Sequence, residues 1–397
     1  MYQIAIMGFG TVGTGVAKVI ETNQESICRR LGEPLRVKSI LVRHFKDGPY
    51  RSLMTDDFQT IESDKEISVV VETIGGVDAA YTYSKRALMA GKHVVTANKQ
   101  LVAEHGNELL ALAKEHHVNY LFEASVGGGI PVLHPLTQCL AANRIDEIYG
   151  ILNGTTNYIL TKMVQEGMPF SDALAQAQAL GYAEADPTAD VEGHDAGRKI
   201  CILADLAFGR RFDPAVVPME GISKIDLRDI KIAEDNGWHV KLLGRCLRLG
   251  EFERTAYVAP HLIREDNPVS HVNDVFNAVV VRGNATGEVM FYGKGAGELP
   301  TASACVSDVL ECLLERPARP EIDWSEDTDG FVDPKEIPGR FYFRISGSIT
   351  EAEKLFGEVL VLKDGEESAL IAGPMTESTA KQAASKLSVL AQMRVLD

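Results

Sequence analysis

Asp195 and Lys199 lie four positions apart in a 397-residue chain, and a carboxylate beside an amine is a pair that can move a proton. They close the segment GYAEADPTADVEGHDAGRK, residues 181–199, whose second half reads as a helix. In a helix the i,i+4 spacing sets both side chains on one face. Carried on at 3.6 residues per turn, that face reaches Ile202 and Leu206, so the pair extends an apolar stripe and is expected to turn inward. An unpaired charge would be costly there. A buried, paired lysine suits general acid–base work at a hydroxyl or carbonyl oxygen. Glu184, just before a proline-bounded loop, is suited to bind a cationic amino group. The same spacing also describes an ordinary helix salt bridge, the commoner fate of such pairs, and the segment alone does not choose between the two readings.

A second lysine, Lys99, sits in Thr96-Ala97-Asn98-Lys99, directly after a strand-like run. Ligands of open α/β sheets bind beyond the carboxyl ends of the strands, so Lys99 is placed to reach a cofactor or substrate. A loop lysine in solvent is the alternative. Near the N-terminus, Gly8-Phe9-Gly10-Thr11-Val12-Gly13 is a G-x-G-x-x-G that follows a strand and opens a helix. The first glycine permits a tight turn, the second a close approach to a pyrophosphate, and the third close helix–strand packing, with the helix N–H groups facing the anion. The next strand ends in Val42-Arg43-His44, with Lys46 close by and no acid until Asp47. An acid there would bind the ribose 2′-hydroxyl of NAD, whereas Arg43 favours the 2′-phosphate of NADP. A solvated surface charge is the competing reading of Arg43.

These groups need a scaffold, and the hydrophobic pattern supplies one. Up to about residue 130, short apolar runs (Ile4–Met7, Val37–Val42, Ser68–Glu72, His93–Thr96, Tyr120–Glu123) alternate with helix-like stretches. That alternation argues for βαβ units in a Rossmann-type, doubly wound parallel sheet, the α/β class. Residues 131–294 begin with helical segments, including Pro131–Ala142, and continue with strand-like runs from Lys241 to Gly293, as in an α+β substrate and dimerisation domain. The dinucleotide-binding domain is expected over 1–130 with 295–318. An exposed Pro- and acid-rich linker is expected at 319–339. Residues 340–397 follow a βαββαβ order, with one helix expected over Ser378–Leu390.

Composition narrows the function classes. Lys plus Arg number 40 against 56 Asp plus Glu, a formal charge of −16, with no basic cluster of the kind that neutralises phosphates, so no nucleic-acid partner is expected. No run reaches the about 18 apolar residues of a membrane span. The six cysteines are dispersed without C-x-x-C or zinc-like spacing, which suits a reducing compartment. A cytoplasmic location and no membrane partner are therefore expected.

Taken together, GFGTVG (8–13), TANK (96–99), EASVGGGIP (123–131), GILNGTTNYIL (150–160), GYAEADPTADVEGHDAGRK (181–199) and YGKGAGELPTASA (292–304) resemble the homoserine dehydrogenase family, in its order, over residues 1 to about 315. The resemblance implies an NAD(P)-dependent oxidoreductase that interconverts L-homoserine and L-aspartate 4-semialdehyde. It implies Lys199 as proton donor and acceptor with Lys99 in support, and a substrate held by Glu184, Asp190 and Asp195 and by the backbone near Thr155 and Tyr182. It implies a dinucleotide lined by Phe9, Thr11, Val12, Thr73, Lys99, Gly181 and Gly297. A monovalent cation, usually sodium, is implied on the Glu123 carboxylate and the carbonyls of Val126, Gly128 and Ile130, a sensible ligand set for a hard ion. A homodimer or higher homo-oligomer is expected. The tail resembles an ACT domain, the amino-acid sensor of regulated members, but Ser346-Gly347-Ser348-Ile349-Thr350 replaces the usual Asp-x-Pro-Gly turn. A threonine response is therefore in doubt, and a dimerising role stands beside it. Two rivals remain: a Rossmann dehydrogenase for another small acid, and a non-catalytic dinucleotide sensor.

Overall fold

A computed structural model describes residues 1–314 and 324–396. The described residues form two compact units, one within 1–143, 201–213 and 293–327, the other within 144–200, 214–292 and 328–396. This grouping differs from the sequence reading at 131–143 and 201–213, which join the first unit. It also leaves 340–396 within the second unit.

The first unit holds six strands, β1 (Tyr2–Met7), β2 (Leu35–Leu41), β3 (Met54–Thr55), β4 (Ile67–Glu72), β5 (His93–Thr96) and β6 (Tyr120–Leu121). All pair in parallel in the order β3-β2-β1-β4-β5-β6, so the connections reverse direction beside β1. Strands covered on both faces read as near-continuous apolar runs, and β1 and β4 do so because Ile4, Ile6, Val69 and Val71 are fully buried. One face packs on the helices Thr11–Thr22 and Glu298–Leu313 through Val16, Ile20, Ala302 and Val309. Burying each large apolar side chain contributes about 1.5–3 kcal/mol.

The second unit contains β7 (Ile145–Ile151), β8 (Trp238–Arg248), β9 (Arg254–Arg264), β10 (Phe276–Gly283) and β11 (Gly287–Lys294), followed by β12 (Gly339–Ser346), β13 (Val359–Lys363), β14 (Glu367–Met375) and β15 (Ser388–Leu396). They form one nine-stranded sheet in the order β11-β10-β7-β8-β9-β15-β12-β14-β13. The tail has the expected βαββαβ order, with helices at Ile349–Phe356 and Glu377–Ala384. It is not a free lobe: β15 pairs in parallel with β9, setting Arg394, Val395 and Leu396 opposite His261, Leu262 and Ile263. Arg344, fully enclosed in β12, forks onto Asp229 of the Leu227–Glu234 helix at 2.6 and 3.1 Å, and Tyr342 donates to the same carboxylate at 2.7 Å.

Three local expectations are corrected. Of Pro131–Ala142 only residues 133–139 are helical, with a π-helix at Pro135–Cys139, and the Glu123 carboxylate takes the amides of Val132, Leu133 and His134 at its start. The helix expected over Ser378–Leu390 stops at Ala384, and Ser388–Leu390 already belong to β15, where pairing with β12 outweighs helix propensity. Of the segment read as an exposed linker, residues 319–323 lie outside the described residues, while Trp324 and Pro334 are buried. Apolar contact at those two positions outweighs the local composition.

Candidate active site

In the first unit the glycine-rich turn opens immediately after β1. Gly8 has φ of +89°, and a Cβ there would lie 2.8 Å from the Thr73 carbonyl. A Cβ on Gly13 would lie 2.3 Å from the Gly8 carbonyl. The turn is therefore closed to side chains at both positions, and the first amides of the Thr11–Thr22 helix keep no intrahelical acceptor. The Thr73 hydroxyl donates to the Gly8 carbonyl at 2.9 Å, tying the turn to the end of β4. Phe9 is buried edge-on against Tyr50 at 5.3 Å, and Lys46 donates to the Phe9 carbonyl at 2.8 Å. Thr11 and Gly10 are exposed, Val12 is half-buried, and Arg43 is exposed just past β2.

Lys99 opens the helix Lys99–Glu115, whose N-cap is Asn98: its side chain accepts from the Leu101 amide at 3.1 Å. The Asn98 amide group donates to the carbonyls of Ile74 and Gly76, and its backbone N–H donates to Thr96. Beneath this lies Glu72, fully buried at the end of β4, which accepts from the Ile74 N–H and the Thr96 hydroxyl, each at 2.5 Å. Burial pushes its carboxyl up to about 7, against the opposing pull of those two hydrogen bonds.

The Glu123 carboxylate is already engaged. One oxygen accepts from the Val132 and Leu133 amides at 2.6 and 2.9 Å, the other from the His134 amide at 2.7 Å. Its own N–H donates to Asp308, whose other oxygen lies 3.1 Å from His134 Nε2. Burial, then Asp308, raises the Glu123 carboxyl above its ordinary range, while the hydrogen bond with Asp308 raises the His134 imidazole. The carbonyls of Val126, Gly128 and Ile130 accept no hydrogen bond from the described residues. Gly128 packs against Gly295, and Gly129 donates to the Lys294 carbonyl at 3.1 Å, which brings this turn beside the loop that leads to Gly297. Gly297 itself is exposed, with φ of +130°, at the start of the Glu298–Leu313 helix.

The second unit assembles the acid–lysine constellation. Asp195 and Lys199 lie on the helix His194–Phe208 and are 4% and 7% exposed, so the face turns inward; Ile202 is fully buried and Leu206 half-buried. Lys199 Nζ donates to Asp195 Oδ2 and to the Leu152 carbonyl, both at 2.7 Å. Asp190 joins through Asn153, whose amide donates to Asp190 Oδ1 at 2.7 Å and to Asp195 Oδ2 at 2.8 Å. Thr155, in the helix Gly154–Glu166, donates to the Tyr182 carbonyl at 2.6 Å. Gly181, exposed with φ of +76°, follows the Phe170–Ala179 helix. Glu184 is exposed, and only its main-chain carbonyl, bonded by Gln178, has a hydrogen-bond partner among the described residues.

Two residues escaped the sequence reading. Asn153 was legible only as an N-cap: an Asn before a helix-forming run is a cap signal, but nothing local points it at Asp190 and Asp195. Glu72 ends a strand like any acid at a sheet edge, and its pairing with Thr96 is set by the register of β4 and β5.

Comparison with known proteins agrees with this arrangement. A family model described as the homoserine dehydrogenase NAD-binding domain matches residues 8–123, and one described as homoserine dehydrogenase matches residues 131–310. The chain is 46% identical over 316 residues to a homoserine dehydrogenase of Bacillus subtilis, covering 78% of this chain and 72% of that protein. It is 39% identical over 354 residues to that of Lactococcus lactis, covering 86% and 82%. The crystal structure of a Thiobacillus denitrificans homoserine dehydrogenase superposes with a TM-score of 0.90 at 34% identity, covering 100% of this chain and 98% of that one. A hyperthermophilic archaeal homoserine dehydrogenase in complex with NADPH gives 0.67 at 30% identity, covering 80% and 98%. The glycine turn after β1, the buried Asp195–Lys199 pair and these likenesses converge: the chain belongs to the homoserine dehydrogenase family of NAD(P)-dependent oxidoreductases.

Proposed function

We propose that this chain interconverts L-homoserine and L-aspartate 4-semialdehyde in the biosynthesis of threonine, methionine and isoleucine, with Lys199 exchanging the proton on the C4 oxygen. The observation that carries this reading is the enclosed Lys199, aimed by Asp195 and by the Leu152 carbonyl at 2.7 Å each. Two fixed acceptors hold the amine in one direction, and such orientation is what proton transfer to a reacting oxygen requires. In oxidation the neutral amine takes the hydroxyl proton; in reduction the ammonium returns it. Lys99 supports the same oxygen. Asp190 and Asp195 keep the polar substrate in register, with Thr155 and the backbone at Tyr182. Glu184, whose carboxylate lies outside the internal network, binds the substrate amino group.

The turn of Gly8, Gly10 and Gly13 fits a dinucleotide pyrophosphate: Gly8 and Gly13 let the turn close tightly on Thr73 and on itself, and Gly10 faces open space in which the pyrophosphate can approach the backbone. When bound, the nicotinamide supplies the hydride chemistry. Phe9, Thr11, Val12, Thr73, Lys99, Gly181 and Gly297 line the cofactor, and exposed Arg43 selects NADP by its 2′-phosphate, in keeping with the NADPH complex of the archaeal relative. The carbonyls of Val126, Gly128 and Ile130, which have no donor among the described residues, fit a sodium ion as hard oxygen ligands. Because the Glu123 carboxylate already accepts three amides, its part there is neutralising charge more than an open ligand.

The enzyme acts in the cytoplasm as a homodimer, with residues 1–130 and 295–318 as dinucleotide domain and 131–294 as substrate and dimerisation domain. Residues 340–397 form an ACT-like module. Its sheet continuity through β15 and its enclosed Arg344 favour an assembly role over that of a free-standing threonine sensor. A spectrophotometric assay tests the whole. Homoserine oxidation should far exceed that of malate, lactate or glutamate, and added threonine should leave it unchanged. Lys199→Ala should lose turnover yet bind NADPH; undiminished turnover in that variant would remove the catalytic assignment.

A further inference from the structure

Asn153 stands where three elements meet in the second unit: the end of the β7 segment, the helix Gly154–Glu166 that it caps, and the segment carrying Asp190, Asp195 and Lys199. It is 5% exposed. Its Oδ1 accepts from the Thr156 N–H at 2.8 Å, and this settles which way the amide faces, because only the oxygen can meet that donor. The nitrogen must then point the other way, where it meets Asp190 Oδ1 at 2.7 Å and Asp195 Oδ2 at 2.8 Å, so both of its hydrogens are used. Asp195 Oδ2 is the same oxygen that accepts from Lys199. The residue before Asn153, Leu152, gives its carbonyl to Lys199 as well. One dipeptide therefore grips the lysine directly and through its aspartate.

We propose that Asn153 is a positioning residue for the proton-transfer step: its amide spans Asp190 and Asp195 and so fixes the oxygen that aims Lys199. This rests on the reading of Lys199 as the proton-exchanging group. A neutral amide is the residue type the place requires. It supplies two donors to two carboxylates and an acceptor to a helix N-terminus, all from one planar group, and adds no charge of its own. An aspartate would retain the cap but set a third carboxylate against Asp190 and Asp195. A serine would retain the cap but carry only one hydrogen, which cannot serve both acids. Capping and positioning can thus be separated by substitution.

The experiment compares Asn153→Ser, Asn153→Asp and Lys199→Ala in the intact enzyme, reading kcat, the Michaelis constants for homoserine and NADPH, the pH profile and the melting temperature. Asn153→Ser should keep a near wild-type melting temperature and an unchanged Michaelis constant for NADPH while kcat falls on the order of 10- to 100-fold, the scale of a misplaced catalytic group. Asn153→Asp should lose kcat similarly and move the optimum for homoserine oxidation to higher pH, because a further negative charge makes the cluster hold its proton more tightly. Wild-type kcat and pH profile in Asn153→Ser would reduce Asn153 to a helix cap and overturn the proposal. Retained turnover in Lys199→Ala would instead overturn the catalytic reading beneath it, so the two failures are distinct.

Discussion

Glu72 and Thr96 end the neighbouring parallel strands β4 and β5, face each other in register, and are joined by a hydrogen bond of 2.5 Å from the Thr96 hydroxyl to Glu72 Oε2. Because Thr96 also accepts from Asn98 and Glu72 also accepts from Ile74, this one bond couples the loop after β4 to the loop that presents Lys99.

The buried Glu72 carboxyl, raised to about 7 from an ordinary 4.5, makes stability depend on pH. Between those values the folded state holds a proton that the unfolded chain has released, so stability falls as pH rises through the window and the contribution is gone above about 7. The change amounts to roughly 3 kcal/mol. Glu72→Gln should flatten it. Urea midpoints at pH 5 and pH 8 check this: an equal pH response in wild type and variant would contradict it.

Gly13→Ala should damage both fold and cofactor site, because the new methyl would meet the Gly8 carbonyl at 2.3 Å and the Thr73 hydroxyl at 2.9 Å. Backbone cannot yield as a flexible side chain can, so overpacking of about 1–3 kcal/mol is expected. NADPH affinity, followed by fluorescence titration, should drop on the order of tenfold or more, because relieving the clash must displace the turn that holds the pyrophosphate, and each 1.4 kcal/mol of binding so lost is a factor of ten. Unaltered affinity would show that the turn does not touch the cofactor.

Arg43→Ala should raise the Michaelis constant for NADPH more than that for NADH, since only the former carries the 2′-phosphate. Parallel initial-rate measurements with the two cofactors decide it. An equal effect on both would leave Arg43 as a solvated surface charge.

Removing Arg344 strands Asp229, which is buried and receives two of the guanidinium's hydrogen bonds. Breaking such a pair from one side costs about 3–5 kcal/mol, whereas replacing both partners with apolar groups is often neutral. Arg344→Ala should therefore lower the denaturation midpoint markedly, and Arg344→Met with Asp229→Leu and Tyr342→Phe, which leaves no orphaned hydroxyl, should recover most of the loss. A single variant as stable as wild type would show that the network does not hold the C-terminal module.

Much was decided by sequence because it depends on neighbours along the chain. G-x-G-x-x-G after an apolar strand specifies a turn closed to side chains at Gly8 and Gly13, and i,i+4 spacing on an apolar stripe sets Asp195 and Lys199 on the helix face that the fold buries. The alternation of short apolar runs with helical stretches likewise determined a parallel sheet. What pairs with those side chains was decided only in three dimensions. Asn153 reaches Asp190 and Asp195 across 37 and 42 residues, Glu123 takes up amides nine to eleven residues on, and β15 joins β9. Hydrogen bonds are short and directional, so such partners follow from strand register and helix packing, to which no local pattern of residues is sensitive.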